Sequence, residues 1–128
     1  MDYYSNIADG YDELYGEEQR KKVKIIIETL NITNEGVLDV GCGSAVYADL
    51  FKNYSGIDKS KGLLKKAKGN VVYGMAEKLP FKDKSFDVVI CVTAIHNFRN
   101  PEKVILEMKR VSKGKIAITL LKKANYFD

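Results

Sequence analysis

Two glycines, Gly41 and Gly43, follow the short β-prone run Val37-Leu38-Asp39-Val40, and the carboxylate of Asp58 closes the next apolar run, Tyr54-Ser55-Gly56-Ile57-Asp58. Glycine tolerates positive φ and carries no side chain, so a turn built on Gly41 and Gly43 lets a ligand approach bare backbone. A carboxylate at the end of the neighbouring strand can accept a hydrogen bond from each of two ribose hydroxyls, one per oxygen. Ser44 is placed to cap a helix beginning near Ala45, which would turn free N–H groups and the positive end of a helix dipole toward the glycines. The chemistry implied is that of a nucleoside-binding edge. A glycine turn alone would be an ordinary strand-to-helix turn, and the spacing to Asp58 is what raises it above that reading.

Those residues need a scaffold, and the hydrophobic pattern supplies one. A polar, tyrosine-rich lead-in from Met1 to Tyr15 precedes a helix from Glu17 to Leu30, with Val23, Ile26, Ile27 and Leu30 at helical spacing. The Val37 to Val40 strand is followed by a predicted helix from Ala45 to Lys52 and the strand Tyr54 to Asp58. Ser60 is the expected N-cap of a helix from Lys61 to Lys68, whose Lys61, Lys65 and Lys68 form a solvated face. A third strand covers Val71 to Gly74, and Leu79-Pro80-Phe81 is a loop packing down onto the sheet. Ser85 to Val92, the longest apolar run, reads as a central strand buried on both faces. Pro101 marks the first turn of a helix carrying Val104, Ile105, Met108 and Val111; Gly114 is expected to end it before a fifth strand from Lys115 to Leu121. Strands alternating with helices predict an α/β fold with a mainly parallel sheet covered on both faces. Its ligands bind beyond the carboxyl ends of the strands, near Gly41, Asp58, Met75 and Val92.

With 128 residues, 45% of them hydrophobic and 30% charged, the chain fits a single domain, residues 1–128, around one core. No repeat, low-complexity stretch or linker divides it; residues 1–30 are lead-in and helix, and residues 36–121 form the sheet-bearing core. The net charge of +4 comes from lysines interleaved with carboxylates, a solvated surface with only a mild hint of an anionic substrate such as nucleic acid. Cys42 and Cys91 lack any metal-ligand pairing, so no metal is expected, and a disulfide framework is not implied either; a reducing cytoplasm fits. The start Met1-Asp2-Tyr3-Tyr4 has neither a basic region nor an apolar stretch, and no run approaches membrane-spanning length. No membrane association is expected.

The chain resembles the class I S-adenosylmethionine-dependent methyltransferases, of the methyltransferase type 11 kind. The likeness rests on Val37-Leu38-Asp39-Val40-Gly41-Cys42-Gly43, Gly56-Ile57-Asp58, Ala76-Glu77-Lys78-Leu79-Pro80-Phe81, Ser85-Phe86-Asp87-Val88-Val89 and His96-Asn97-Phe98, and spans Tyr4 to Leu120. It implies a three-layer, Rossmann-like open sheet in the strand order 3-2-1-4-5 and S-adenosylmethionine as cofactor. Gly41, Cys42 and Gly43 would underlie the methionine part, with Asp39 orienting its amino group. Asp58 would take the ribose hydroxyls, Lys59 lie against the adenine, Ala76 offer its N–H to the ring with Glu77 beside it, and Val92 stand at the end of the fourth strand. Tyr4 and Tyr11 resemble an aromatic pair that closes over the cofactor. Met75 stands where relatives often carry an aspartate for the adenine amino group, and losing that hydrogen bond typically costs about 1 kcal/mol. Relatives continue past the fifth strand with a helix and an antiparallel strand pair, for which Lys122 to Asp128 leave no room. The fifth strand is therefore expected to be a bare apolar edge, covered by a second copy or partner subunit, or else belonging to a longer protein.

The implied reaction is methyl transfer from the sulfonium to a nucleophile of a small molecule or RNA, for which proximity and alignment matter more than acid–base help. His96, the only histidine, follows the fourth strand and is the one candidate general base; a packed or orienting role is the alternative. Asn97, Phe98 and Arg99 share its loop, where Phe98 could stack a flat substrate and Arg99 meet an anionic one. Val92-Thr93-Ala94-Ile95 replaces the Asn-Pro-Pro-Tyr-like tetrapeptide associated with methylating exocyclic amino groups, which disfavours that acceptor class. A non-catalytic cofactor-binding module acting with a partner is the rival reading. A nicotinamide-dependent dehydrogenase is disfavoured, because Val46 stands where its third fingerprint glycine belongs.

Overall fold

Apolar residues alternate between two cores because the strands are buried on both sides. The computed structural model describes residues 9–120, with side chains from residue 14 onward. Helix α1 (Asp9–Leu30) leads to strand β1 (Val37–Val40), then β2 (Tyr54–Asp58), α2 (Lys61–Leu64), β3 (Val71–Tyr73), β4 (Phe86–Val92), α3 (Pro101–Val111) and β5 (Ser112–Thr119). The five strands form one parallel sheet in the order β3-β2-β1-β4-β5, as the resemblance implies. On one face Val37, Val88, Ile90 and Val92 pack with Val23 and Ile26 of α1. On the other Leu38, Val40, Val89 and Cys91 pack with Val104, Met108 and Val111 of α3. β4, fully buried from Val88 to Val92, is the two-sided central strand its composition predicts.

Four expectations about element limits need correction. α1 begins at Asp9, so half of the tyrosine-rich lead-in is helical. No α-helix runs from Ala45 to Lys52; only a 3₁₀ turn, Ala48–Leu50, forms there, and no side chain caps it. The reason lies upstream: Gly41, Gly43 and Ala45 all have positive φ (76°, 56° and 51°), so the backbone zigzags, and the bonds that follow reach back only three residues, from Ala48 N to Ala45 O and from Phe51 N to Ala48 O. This path also buries Ala45, Tyr47, Ala48 and Phe51 together. Ser44 thus has no α-helix to cap, and the helix expected to turn its dipole toward the glycines does not form. Ser60 does cap α2, its Oγ accepting from Leu63 N at 3.3 Å, but that helix stops at Leu64.

Gly114 does not end α3. The helix stops at Val111 and β5 starts at once, with a register shift between Phe86 and Val88 of β4 that accommodates Lys113 and Gly114. Ser112 holds this bulge, its Oγ accepting from Gly114 N and donating to Lys115 O. At the other end of α3, Asn100 Oδ1 accepts from Lys103 N while Pro101 occupies the first turn.

The Leu79-Pro80-Phe81 loop packs down as expected: Leu79 is buried and Phe81 meets Phe86 edge-on at 5.0 Å. Arg110 of α3 ties it in place. Its guanidinium donates to the carbonyls of Leu79 and Phe81 and pairs with Glu107 and Asp83, while Glu107 accepts from Leu79 N at 2.8 Å. Arg110→Ala is expected to lower the free energy of unfolding by about 1–3 kcal/mol, because it strips donors from two carbonyls as well as a partly exposed ion pair. Urea denaturation checks this; Glu107→Gln, which keeps an acceptor, should cost less.

Candidate functional site

The carboxyl ends of β1, β2 and β4 open onto a groove of about 700 Å³, within the range that small-molecule and cofactor sites occupy. Its floor is the glycine turn. At Gly41 a side chain would be strained by the positive φ, and a Cβ would meet Ala94 Cβ and Phe98 Cζ at 3.0 Å, so the turn and the loop after β4 approach with only bare backbone between them. Asp58, the last residue of β2, stands at the rim with both oxygens engaged: Oδ2 accepts from Gly43 N and Oδ1 from Ser60 N, each at 2.8 Å. A carboxylate offers about four acceptor positions, so two remain for hydroxyl donors. The same group therefore holds the turn and presents acceptors to the groove.

Of the residues expected at the site, Gly41, Cys42, Gly43, Asp58, Lys59, Ala76, Glu77 and Val92 line this groove. Met75 lines an adjoining hollow of about 480 Å³ with Lys59, Glu77 and Arg99. Asn97 and Phe98 line the main groove, whereas His96 is exposed on a 3₁₀ turn, Ile95–Asn97, and lines neither. Tyr4 and the side chain of Tyr11 lie outside the described residues. Tyr15, one helical turn beyond Tyr11 on α1, lines the groove, a position the four-residue tyrosine spacing could have revealed.

Asp39 does not face the groove. It is fully buried beneath the turn, where its Oδ2 accepts from the Tyr54 hydroxyl at 2.6 Å. Its Oδ1 has no hydrogen-bond partner, although the Tyr47 hydroxyl is close enough to favour the ionised form. Burial pushes its pKa up to about 6, opposed by the two tyrosine hydroxyls and reinforced by the charge of Asp58. Burial, with Asp39 and Asp58 nearby, also pushes the Cys42 thiol up to about 12, so the groove holds no thiolate nucleophile. The Asp39–Tyr54 pair escaped sequence reasoning because a tyrosine opening an apolar strand reads as plain core.

Thr93, the first residue after β4, was also missed. It lines the groove in the left-handed region, φ 51°, where a β-branched residue costs on the order of 1–3 kcal/mol. Its N–H donates to Thr119 Oγ1 at 2.8 Å and to Thr119 O at 3.1 Å, and its hydroxyl donates to Gln19 Oε1 at 3.2 Å.

A parallel α/β sheet with a glycine turn after its first strand and an acid after its second defines a nucleoside-cofactor-binding protein of the Rossmann-like class. Residues 38–118 match the sequence model of the methyltransferase domain, and the chain belongs to that family. It is 35% identical, over 99% of its length, to an uncharacterized protein of Methanocaldococcus jannaschii, of which it covers 52%. With the demethylmenaquinone methyltransferase of Thermotoga maritima it shares 29% identity, over 94% of the chain and 60% of that protein. The crystal structure of a SAM-dependent methyltransferase from Aquifex aeolicus superposes with a TM-score of 0.69 at 25% identity, over 82% of this chain and 66% of that one. The chain thus spans about half to two thirds of the length of these relatives. S-adenosylmethionine is the cofactor of the family, and the residues present fit it: the groove has the capacity, the glycine backbone is bare, and Asp58 keeps acceptor positions for a ribose.

Proposed function

We propose that this chain binds S-adenosylmethionine in the groove and directs methyl transfer to a nucleophile of a small molecule or RNA. The observation that carries the reading is the Asp58 carboxylate at the rim of a groove floored by the left-handed Gly41 and Gly43. When bound, the cofactor supplies a methyl group already activated by its sulfonium, so the protein's work is binding, alignment and exclusion of water. Asp58 accepts from the ribose hydroxyls. Lys59, Met75, Ala76 and Glu77 bound the adenine end, while Gly41, Cys42 and Gly43 underlie the methionine end. Asp39 acts on that end only through the turn above it. Val92, Asn97 and Phe98 bound the side from which an acceptor enters.

No general base is assigned. His96→Ala is expected to leave both cofactor affinity and turnover within about twofold of the wild type, since the imidazole is exposed and lines neither hollow. A larger fall in turnover at unchanged affinity would bring it into the chemistry. The Thermotoga relative, by its name, methylates demethylmenaquinone, which favours a small acceptor; the mild positive charge keeps RNA in view. Incubation with methyl-labelled S-adenosylmethionine and fractionated RNA and small-molecule pools tests the reading. Label should move to one pool, whereas cofactor binding with no transfer to any pool would support a non-catalytic module acting with a partner.

The reading includes cover for β5, which among the described residues has a neighbouring strand on one side only and is followed by an exposed Leu120. A second copy or a partner subunit is the proposed cover, and a stable monomer by sedimentation would count against a second copy. Two buried free cysteines accord with a cytoplasmic setting.

A further inference from the structure

We infer that Gln19 is a positioning residue that fixes the groove wall at Thr93, so that α1 acts as a polar brace between two walls of the groove. The consequence for ligand binding rests on the cofactor reading above; the brace itself does not.

Thr93 adopts a backbone conformation that β-branched residues rarely take. Something must hold it, and three hydrogen bonds do. Two run from its N–H to Thr119 at the end of β5, and the third runs from its hydroxyl to Gln19. Gln19 is only 4% exposed, one of three buried polar or charged side chains among the described residues, with Asp39 and Ser112. On the same helical face Val23 and Ile26 are buried as well, so a residue there merely to fill space would be apolar. A buried amide instead gains from a specific partner and loses heavily without one. The next residue on the same helix holds a second part of the groove lining. Arg20 donates to Val46 O at 3.2 Å and grips both oxygens of Asp49 at 2.6 and 3.1 Å. Val46 and Thr93 both line the groove. Two consecutive side chains of α1 therefore set the separation of the glycine-turn arm from the end of β4.

The test compares wild type with Gln19→Ala, Thr93→Val, the two combined, Thr93→Gly, and Gln19→Ala in the Thr93→Gly background. The readouts are S-adenosylhomocysteine affinity by calorimetry and amide hydrogen exchange at residue 93. Gln19→Ala should weaken binding about tenfold and speed exchange at residue 93 about tenfold, leaving β1 and β2 amides unchanged. Thr93→Val, which keeps shape but loses the hydroxyl, should match it, and combining the two should add little. Glycine adopts positive φ without help, so in the Thr93→Gly background Gln19→Ala should change affinity by less than about twofold. A purely structural Gln19 predicts another pattern: a lower melting temperature with affinity and local exchange unchanged, or the same loss in the Thr93→Gly background. Either result overturns the inference. Should Gln19→Ala fail to fold, Thr93→Val decides alone, by the same criteria. If wild type binds no S-adenosylhomocysteine, the cofactor reading fails while the exchange data still decide whether the brace exists.

Discussion

Asp58→Ala is expected to weaken binding of S-adenosylhomocysteine by at least about 100-fold. The carboxylate can accept from both ribose hydroxyls, and hydrogen bonds to a charged group are worth roughly 1.5–3 kcal/mol each. The same oxygens hold Gly43 N and Ser60 N at 2.8 Å, so part of the loss would come from a loosened turn. The two contributions separate with simpler probes. Wild type should prefer adenosine over 2′-deoxyadenosine by about tenfold, and Asp58→Ala should show no preference between them. If the variant binds both weakly but keeps the wild-type preference, Asp58 supports the turn and something else reads the ribose. Asp58→Asn should fall between, since an amide keeps one acceptor oxygen but loses the charge.

The second large effect concerns stability rather than binding. Asp39→Asn should raise the free energy of unfolding by about 3 kcal/mol at pH 7, because the native state then no longer buries a carboxylate. The pH dependence follows from the direction of the shift. The ordinary value is 3.8 and burial raises the folded-state value to about 6, so between those limits the native state binds a proton that the unfolded chain has released. Wild-type stability should therefore fall as pH rises from about 4 to about 6 and level off above. Asp39→Asn should lack this slope, and the two proteins should match near pH 4, with the Tyr54 hydroxyl bonded in both. Urea midpoints at pH 4, 5, 6 and 7 check it; a gap independent of pH would show that the Asp39 pKa does not differ between the native and unfolded states. A fully buried acid retained at such a cost fits a part of the turn whose value lies in function, and the variant's cofactor affinity will tell whether it does.

Much of this architecture is legible in the residues. β1 and β4 announce themselves as β-branched runs, and Gly41, Gly43 and Asp58 are readable because backbone freedom and an acid at a strand end are local properties. The strand order came with the family resemblance, not from periodicity. What local pattern missed is set by tertiary contact. Ala45 to Lys52 has helical composition, yet Ala45 takes positive φ and the segment turns inward so that Tyr47 and Phe51 can be buried beside Tyr54. Gly114 looks like a helix stop because it follows one, but its backbone serves a bulge held by Ser112. Gln19 and Thr93 are far apart in sequence and polar, and nothing in either neighbourhood marks them as partners. Asp39 sits inside the expected motif, but its direction, down toward Tyr54 and away from the groove, depends on which face of β1 it occupies.

The central claim is that the groove at the ends of β1, β2 and β4 holds S-adenosylmethionine. Titration of the ¹⁵N-labelled protein with S-adenosylhomocysteine, followed through backbone amide shifts, tests it most directly. Saturable shifts at Gly41, Gly43, Asp58 and Ala76, reaching completion at one ligand per chain, are the predicted result. No shifts at millimolar ligand, or shifts confined to the β5 edge, would contradict it.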